Sequence, residues 1–287
     1  MATKQKLERT ISSTQDMSSI VRTMKSLAAV NVRVFGQARE AIEEYMTTLE
    51  YGLQVAIGGN GGLTTGASRV EHDFALFVFG AVQGMCGQFS DHVARKAADY
   101  ARRTPSAGHV VAVGPRVGSR LADRGISVDR NVEMSGSLDV LPRVVDECIV
   151  AVQQLHRRAV QGVIVFYNAA SGRSSYEPHE ELVLPVSEAW LDRITRRSWP
   201  TRALPSVVTD RASLLTALAR QYLFASFYRA AAQSLASENA ARLASMQSAE
   251  SNIDERLGEL RAAYNRQRQQ EITSELLDIV GGYTALE

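Results

Sequence analysis

The sequence predicts an α/β fold in which long N- and C-terminal helices form an antiparallel coiled coil around a small central Rossmann-like domain. The first observation is the distribution of proline: all seven prolines lie between Pro105 and Pro205. Proline ends or kinks a helix because it has no N–H donor. The proline-free ends, 1–104 and 206–287, can therefore hold long helices. Both ends carry heptad patterns, and their opposite chain directions favour pairing within one chain.

Composition excludes several classes of function. The net charge of +1 gives no general attraction to nucleic acid, and 45% hydrophobic residues are enough for a packed core. Cys86 and Cys148 are the only cysteines, and their spacing fits neither a metal site nor a disulfide framework. No apolar run approaches the roughly 20 residues of a membrane span, so we expect no direct membrane insertion.

The first helix is expected over residues 4–57, a length of roughly 80 Å. Within residues 1–39, seven lysines and arginines stand against two acidic residues. This basic charge forms either a solvated helix face or a tip that meets acidic protein loops. A coiled-coil seam is predicted from alternating spacings of four and three, at Ile20, Met24, Leu27, Asn31, Val34, Ala38, Ala41 and Tyr45.

The middle of the chain alternates strands with helices, which predicts a largely parallel sheet. A glycine-rich connection, 58–69, precedes it. We expect strands at 73–79, 110–113, 162–167 and 181–186, and helices at 91–103, 116–124 and 141–160. The last strand is expected at a sheet edge because Pro185 cannot donate to a ladder. The predicted organisation is a discontinuous shaft (1–57 and 209–287) and a foot (70–208).

The last helix is expected to begin after Thr209 or Asp210, both good N-caps, and to end at Gly281-Gly282. Its alanine- and serine-rich part, 230–249, allows close approach by another helix. A second seam is predicted at Met246, Glu250, Ile253, Leu257, Leu260, Tyr264, Ile272, Leu276, Ile279 and Tyr283.

Recognised catalytic patterns are missing from the sequence. It contains no phosphate-binding P-loop, no nucleophile elbow and no zinc-protease motif, and its histidines show no ligand spacing. Gly80, Gly84 and Gly87 follow a predicted strand, but their spacing is not that of a dinucleotide fingerprint. A structural turn containing Gly84, Cys86 and Gly87 is the favoured interpretation. The alternatives are a dinucleotide-dependent α/β enzyme and a homodimeric coiled-coil scaffold.

Three segments carry a family resemblance. The C-terminal segments SLASENAAR (234–242) and YNRQRQQEITSELLDIVGG (264–282), with Met246 between them, resemble the terminal helix of the gamma subunit of F-type ATP synthases. SSTQDMSSIVRTMKSLAA (12–29) is similar to that family's opening segment. The turn GMCG (84–87), followed by Phe89, resembles its turn after the first strand. The order helix, α/β domain, helix also agrees, so the resemblance covers the whole length.

Three departures accompany the resemblance. Val30-Asn31-Val32 replaces most of a basic run, Gln233 stands where a glutamate is common, and Ser90 stands where the family has asparagine. These differences are compatible with a divergent gamma subunit from an alternative F-type ATPase. They bear on contacts at the tip and neck of the shaft rather than on the class of protein.

The resemblance implies a non-catalytic central stalk that needs no cofactor or metal. Such a subunit rotates inside the ring of alpha and beta subunits, couples hydrogen-ion or sodium-ion transport to ATP synthesis, and binds the epsilon subunit and the c-ring. It implies a peripheral location on the cytoplasmic face of the bacterial inner membrane. It also implies contacts with the alpha/beta ring, with Met24 and Lys25 opposite Arg268 and Gln269, at Met24, Lys25, Arg33, Arg242, Arg268, Gln269, Thr273 and Glu275.

Overall fold

The computed structural model describes residues 4–58, 73–104, 106–172, 175–203 and 205–284. All but the first residue of the predicted glycine-rich connection, 58–69, lies outside the described residues. The chain divides into two compact units. The coil unit is drawn from Met1–Ala28 and Arg242–Glu287, and the sheet unit from Ala29–Ala241.

Two long helices each contribute residues to both units. Helix α1 spans Lys4–Ile57 and helix α6 spans Arg211–Thr284. Asp210 caps α6, because its Oδ2 accepts a hydrogen bond from the Ser213 backbone N–H at 3.0 Å. The predicted stop at Gly281-Gly282 is wrong, since the helix continues to Thr284.

The buried stripe of α1 is displaced by one residue from most of the predicted seam. Ile20, Leu27 and Val34 are exposed, whereas Phe35 is 1% exposed. Because successive residues in a helix point about 100° apart, this displacement turns the expected apolar stripe outward. The observed seam alternates spacings of three and four, at Lys4, Leu7, Ile11, Thr14, Ser18, Val21, Lys25, Ala28, Val32, Phe35, Arg39, Ile42, Met46, Leu49, Leu53 and Ala56.

The sheet unit contains five strands in the order β3-β2-β1-β4-β5. The first four are parallel, and β5 pairs antiparallel with β4 at the edge. The predicted Rossmann-like α/β fold is confirmed by this order. The strands are β1 (Phe74–Phe79), β2 (His109–Val113), β3 (Arg130–Val132), β4 (Gly162–Ala170) and β5 (Tyr176–Leu184).

Both faces of the sheet are covered, which explains why its central strands read as continuous apolar runs. One face packs Phe77 and Phe79 against α1, α6 and α4 (Leu141–His156). The other packs Leu76 and Val78 against α2 (Phe89–Arg103) and α3 (Val117–Ala122). The shorter helices are α2 (Phe89–Arg103), α3 (Val117–Ala122), α4 (Leu141–His156) and α5 (Glu188–Thr195), with a 3-10 turn at Leu138–Val140.

Two elements were not predicted, and one was misplaced. Strand β3 has only three residues, too few for a periodic signal. Helix α5 follows Ser187, whose hydroxyl accepts from the Trp190 N–H at 3.2 Å, a capping signal that the sequence does contain. Strand β5 was expected at 181–186. It lies at the predicted edge but begins five residues earlier and includes Pro178.

Among the described helices, none has a segment both long and apolar enough to cross a bilayer.

The position of the α1 seam can be tested with adjacent residues. Phe35→Ala is expected to lower the free energy of unfolding by about 3–5 kcal/mol because it leaves a cavity in the core. Val34→Ala, one position away, is expected to change it by no more than about 0.5 kcal/mol. Urea denaturation of the purified chain measures both values. Equal losses for the two variants would contradict the observed seam.

Candidate partner-contact surface

The coil unit pairs α1 and α6 in antiparallel directions. Close to the Ala28 and Arg242 limits of its two segments, Lys25 Nζ binds Glu250 Oε2, and Arg22 Nε donates to Glu250 Oε1 at 3.1 Å. Near its end, the Tyr264 hydroxyl donates to Glu8 Oε1 at 2.8 Å. Low-numbered residues of α1 therefore meet high-numbered residues of α6. The predicted antiparallel pairing within one chain is confirmed.

This pairing corrects one expectation about the contact residues. Lys25 was expected opposite Arg268, but it lies against Glu250. Close to Arg268 along α6, Tyr264 meets Glu8 and Glu271 meets Lys4, whose Nζ lies 3.6 Å from Glu271 Oε2. The two predicted groups of contacts therefore occupy different levels of the coil.

The predicted contacts near the C-terminus are on the surface. Arg268, Gln269, Thr273 and Glu275 are all exposed. The Thr273 hydroxyl donates to the Gln269 carbonyl at 2.9 Å, a local helix bond that leaves the Gln269 amide side chain outward. Within the part of the chain that the structure describes, the Arg268 guanidinium makes no ion pair. Glu271, three residues along α6 from Arg268, is bound by Lys4.

The end of α6 exposes apolar residues that were expected in the seam. Ile272, Leu276 and Ile279 are 45%, 58% and 69% exposed, so this part of the seam prediction is wrong. The observed seam follows Met246, Glu250, Ile253, Leu257, Leu260 and Tyr264 as predicted, and then continues at Gln267 and Glu271. Among the described residues, α1 begins at Lys4, which binds Glu271, and the exposed Ile272 is the next residue of α6 after Glu271.

The remaining predicted contacts differ in accessibility. Arg33 is exposed and Met24 is half-buried. Arg242 is only 6% exposed, so little of its side chain is available to a partner. Sequence reasoning assigned several exposed apolar residues of α1 to a buried seam, or overlooked them. They are Met17, Ile20 and Leu27 in the coil unit, and Val30 and Val34 in the sheet unit.

The β1–α2 loop, residues 80–88, contains the glycines that resemble a nucleotide-binding turn. Met85 and Gly87 have positive φ angles of 62° and 64°, which give the loop its tight path. The buried carboxylate of Glu238 on α6 accepts the Val82 N–H at 2.8 Å and the Gln83 N–H at 2.9 Å. A carboxylate of the chain itself thus takes backbone donors that a phosphate group would need.

A second polar region lines a cavity of about 480 Å³ in the sheet unit. Its charged groups are largely paired with one another: Glu50 binds Arg193 at 3.0 Å and Arg197 at 2.8 Å, and Glu181 binds Arg229. Such mutual pairing leaves little unsatisfied charge to recognise a ligand. No group of three metal-ligating side chains occurs among the described residues.

The two cysteines are buried, and neither pairs with the other. Burial raises the pKa of the Cys148 thiol well above its ordinary value, which disfavours the reactive thiolate. Cys86 lies inside the β1–α2 loop and donates to the Gln83 carbonyl at 3.4 Å. Thiol chemistry therefore has no support from the geometry of either residue.

The fold and surface define a class of protein in which an antiparallel helical pair is joined to a Rossmann-like unit and no catalytic arrangement is evident in the described residues. A sequence model of the family described as ATP synthase matches residues 3–286. The chain therefore belongs to the ATP synthase family, and the relatives it matches are gamma chains.

Two of these relatives show the extent of the similarity. The chain is 29% identical over 301 residues to the ATP synthase gamma chain of Granulibacter bethesdensis, and the alignment covers 100% of both chains. It is 27% identical over 298 residues to the ATP synthase gamma chain of Sinorhizobium fredii, with 98% of each chain covered.

Solved structures share the fold at lower identity. A chain from the rotor of the Euglena gracilis mitochondrial ATP synthase matches with a TM-score of 0.58 and 16% identity, covering 94% of this chain and 98% of that one. A chain from the central stalk and c-ring of the Tetrahymena thermophila enzyme gives 0.57 and 18%, covering 80% and 99%. The predicted combination of long paired helices and a central sheet is therefore confirmed as a known fold.

The Glu250 ion pairs give the coil unit a pH dependence. The hydrogen bond from Lys25, aided by Arg22, holds the pKa of Glu250 below its ordinary value of 4.5. A depressed folded-state pKa adds stability above the unfolded pKa, and this stability is lost as the pH falls through the folded value. Glu250→Gln should therefore be less stable than the wild type near neutral pH, with a smaller difference in acid.

Urea denaturation at about pH 7 and at successively lower pH measures this difference, because the stabilisation is lost as the pH falls through the folded-state value. Glu255→Gln, on the exposed side of the same helix, is the control. If the difference in free energy of unfolding between Glu250→Gln and the wild type stays constant with pH, the Glu250 ion pairs are not the origin of the pH dependence.

Proposed function

We propose that this chain is the central rotor stalk of an F-type ATP synthase. The observation that carries this proposal is the match of the family over residues 3–286, together with the antiparallel coil and the Rossmann-like unit. As a stalk, it couples transmembrane ion flow to ATP synthesis or hydrolysis by rotating inside the alpha/beta ring.

The proposed mechanism is mechanical. A long helical pair has a different surface on each side, so its orientation imposes a different environment on each catalytic site of the surrounding ring. Rotation among discrete orientations then drives each site through binding, conversion and release. Exposed ion pairs contribute only about 0–1 kcal/mol each, which allows the shaft to leave each orientation.

The proposed partners are the alpha and beta subunits, the epsilon subunit and the c-ring of the membrane rotor. Support comes from the similar folds, whose structures are described as a rotor, a central stalk with c-ring, and an F1 and c-ring assembly. The exposed apolar residues of α1 and of the end of α6 supply surface for such contacts.

The subunit itself is proposed to be non-catalytic and peripheral to the cytoplasmic face of a bacterial inner membrane. Its sequence contains no P-loop. The Glu238 carboxylate accepts hydrogen bonds from the backbone N–H groups of the loop at which a dinucleotide enzyme would bind phosphate. We further propose a shaft at 1–57 and 209–287 and a foot at 70–208, joined through 58–69.

Contacts with the ring are proposed for the residues that the family resemblance implies. Arg268, Gln269, Thr273 and Glu275 are exposed, as is Arg33. Lys25 retains accessible surface although it binds Glu250, since its side chain is 34% exposed. Met24 lies beside it, and buried Arg242 offers the smallest accessible surface of the set.

The ring contact can be tested by removing two polar ends at once. In the assembled complex, Arg268→Ala with Gln269→Ala is expected to lower coupled ATP synthesis by roughly tenfold, equivalent to about 1.4 kcal/mol of lost contact energy. Both side chains are exposed, so the fold should be retained. The measurement is ATP synthesis and ATP-driven ion pumping in membrane vesicles.

The matched control is Arg143→Ala with Gln153→Ala, which removes the same chemistry from the exposed side of α4. Unchanged synthesis and pumping in the Arg268 and Gln269 variant would show that these two residues form only a solvated face.

The absence of catalysis is tested on the purified chain. We expect no ATP hydrolysis and no calorimetric binding of ATP or NAD, because the Val82 and Gln83 N–H groups of the β1–α2 loop already donate to the Glu238 carboxylate. The isolated alpha/beta ring with this chain added is the positive control for hydrolysis. Micromolar NAD or ATP binding by the chain alone would favour the dinucleotide-dependent enzyme instead.

A further inference from the structure

Glu238 is a carboxylate buried in the middle of α6, with 1% of its surface exposed. Its Oε2 accepts the Val82 N–H at 2.8 Å and its Oε1 accepts the Gln83 N–H at 2.9 Å. Burying a charge is unfavourable unless hydrogen bonds compensate. Bonds from N–H donors to an ionised acceptor are about twice as strong as neutral ones, and they are directional.

The bonded loop follows the central strand of the parallel sheet. In the order β3-β2-β1-β4-β5, the chain passes from β1 to β2 on one side, and β4, which follows β3 in the chain, lies on the other side of β1. This loop therefore lies at the switch point where α/β folds bind ligands. Consecutive backbone N–H groups there form an anion-binding concavity. Here the anion is the Glu238 side chain of α6, a helix distant in sequence. The position that would hold a ligand anion therefore forms a structural joint between the loop and α6.

The loop is itself fixed to the sheet. The Gly80 N–H donates to the Val113 carbonyl at 2.9 Å, and the Ala81 N–H donates to Ser90 Oγ at 3.0 Å. A Cβ on Gly80 would lie 2.4 Å from Val117 Cβ, so the backbone runs directly against α3. Buried Asn168 on β4 donates to the Phe89 carbonyl at 2.8 Å. A displacement of the loop must therefore move the sheet with it.

Apolar side chains surround the joint. Cys86 and Phe89 form a buried cluster with Ala81 and Ala241, and Tyr176 packs against it. A shielded environment of low dielectric strengthens the hydrogen bonds to the carboxylate. Apolar packing is non-directional and resists separation more than sliding. The directional bonds of Glu238 are suited to resist sliding and twisting of α6 over the sheet.

We propose that Glu238 is the positioning residue that transmits torque between the sheet and α6. This inference rests on the proposed rotor function and deepens it. Two bonds to one loop fix α6 both along its axis and around it, so rotation of either element turns the other without slip. The role assigns a mechanical use to the turn that contains Gly84, Cys86 and Gly87.

The test uses the assembled complex with Glu238→Ala and Glu238→Gln. Glu238→Gln keeps the volume, but its single carbonyl oxygen cannot accept both donors in the same way and its NH2 group opposes one of them. Both variants should pump fewer ions per ATP hydrolysed than the wild type, with the deficit growing against an ion gradient. Glu255→Ala, on the exposed side of α6, should leave the ratio unchanged.

Two further readouts separate positioning from simple packing. Amide exchange at Val82 and Gln83 should accelerate at least about tenfold in Glu238→Ala, the change expected for one lost bond to a charged acceptor. Added formate should enter the space left in Glu238→Ala and raise its pumping ratio. It should not help Glu238→Gln, whose side chain still fills that space.

A wild-type pumping ratio in Glu238→Gln would overturn the proposal, because volume alone would then suffice. The same conclusion follows if Glu238→Ala complexes lose coupling and formate gives no recovery. Failure of the rotor function has a different signature. In that case, membranes that lack this chain would still synthesise ATP as well as membranes that contain it.

Discussion

The close packing of α6 in the sheet unit is the constraint on which the rest of that unit depends. Phe227 of α6 contacts Phe77 of β1 with ring centroids 4.9 Å apart, and Phe35 of α1 belongs to the same buried cluster. One helix thus packs with a second helix and with the sheet. Small residues make this possible, because Ala225, Ala230 and Ala231 are fully or almost fully buried without holding the backbones apart. Glycine has the same effect on α1, where a Cβ on Gly52 would lie 3.2 Å from Leu218.

The general fold could be predicted from the sequence, but the face of α1 that is buried could not. Proline placement and heptad spacing identified both long helices and their antiparallel pairing. The predicted seam positions of α1 were wrong because the observed seam includes Thr14, Ser18 and Lys25, while Ile20 and Leu27 lie outside it. Because α1 has apolar residues on two faces, its heptad spacing fits two different buried stripes. Only packing against α6 distinguishes them. Asn31 shows the same limit, since it is half-buried and donates to Asn239 at 3.3 Å from the border of the seam.

The candidate site was predictable in part for a similar reason. Family resemblance located exposed residues near the C-terminus, and those positions are accessible. It could not show that Lys25 binds Glu250, because a pairing across 225 residues depends on how far one helix extends along the other. The role of Glu238 was hidden as well. A glutamate within an alanine-rich helix has no sequence feature that identifies backbone N–H groups as its partners. Its burial becomes evident only when the sheet and helix are seen together.

The composition of the seam also sets where the chain opens first. In the coil unit, the buried residues of α1 are Thr14, Ser18 and Ala28, its larger apolar seam residues Leu7, Ile11 and Val21 are only half-buried, and ion pairs to Glu250 add to the contact. In the sheet unit, the same helix buries Phe35, Ile42, Met46 and Leu49. Local opening costs least where few apolar contacts are lost. The coil unit therefore has the lower opening free energy, and screening of its ion pairs by salt lowers that energy further.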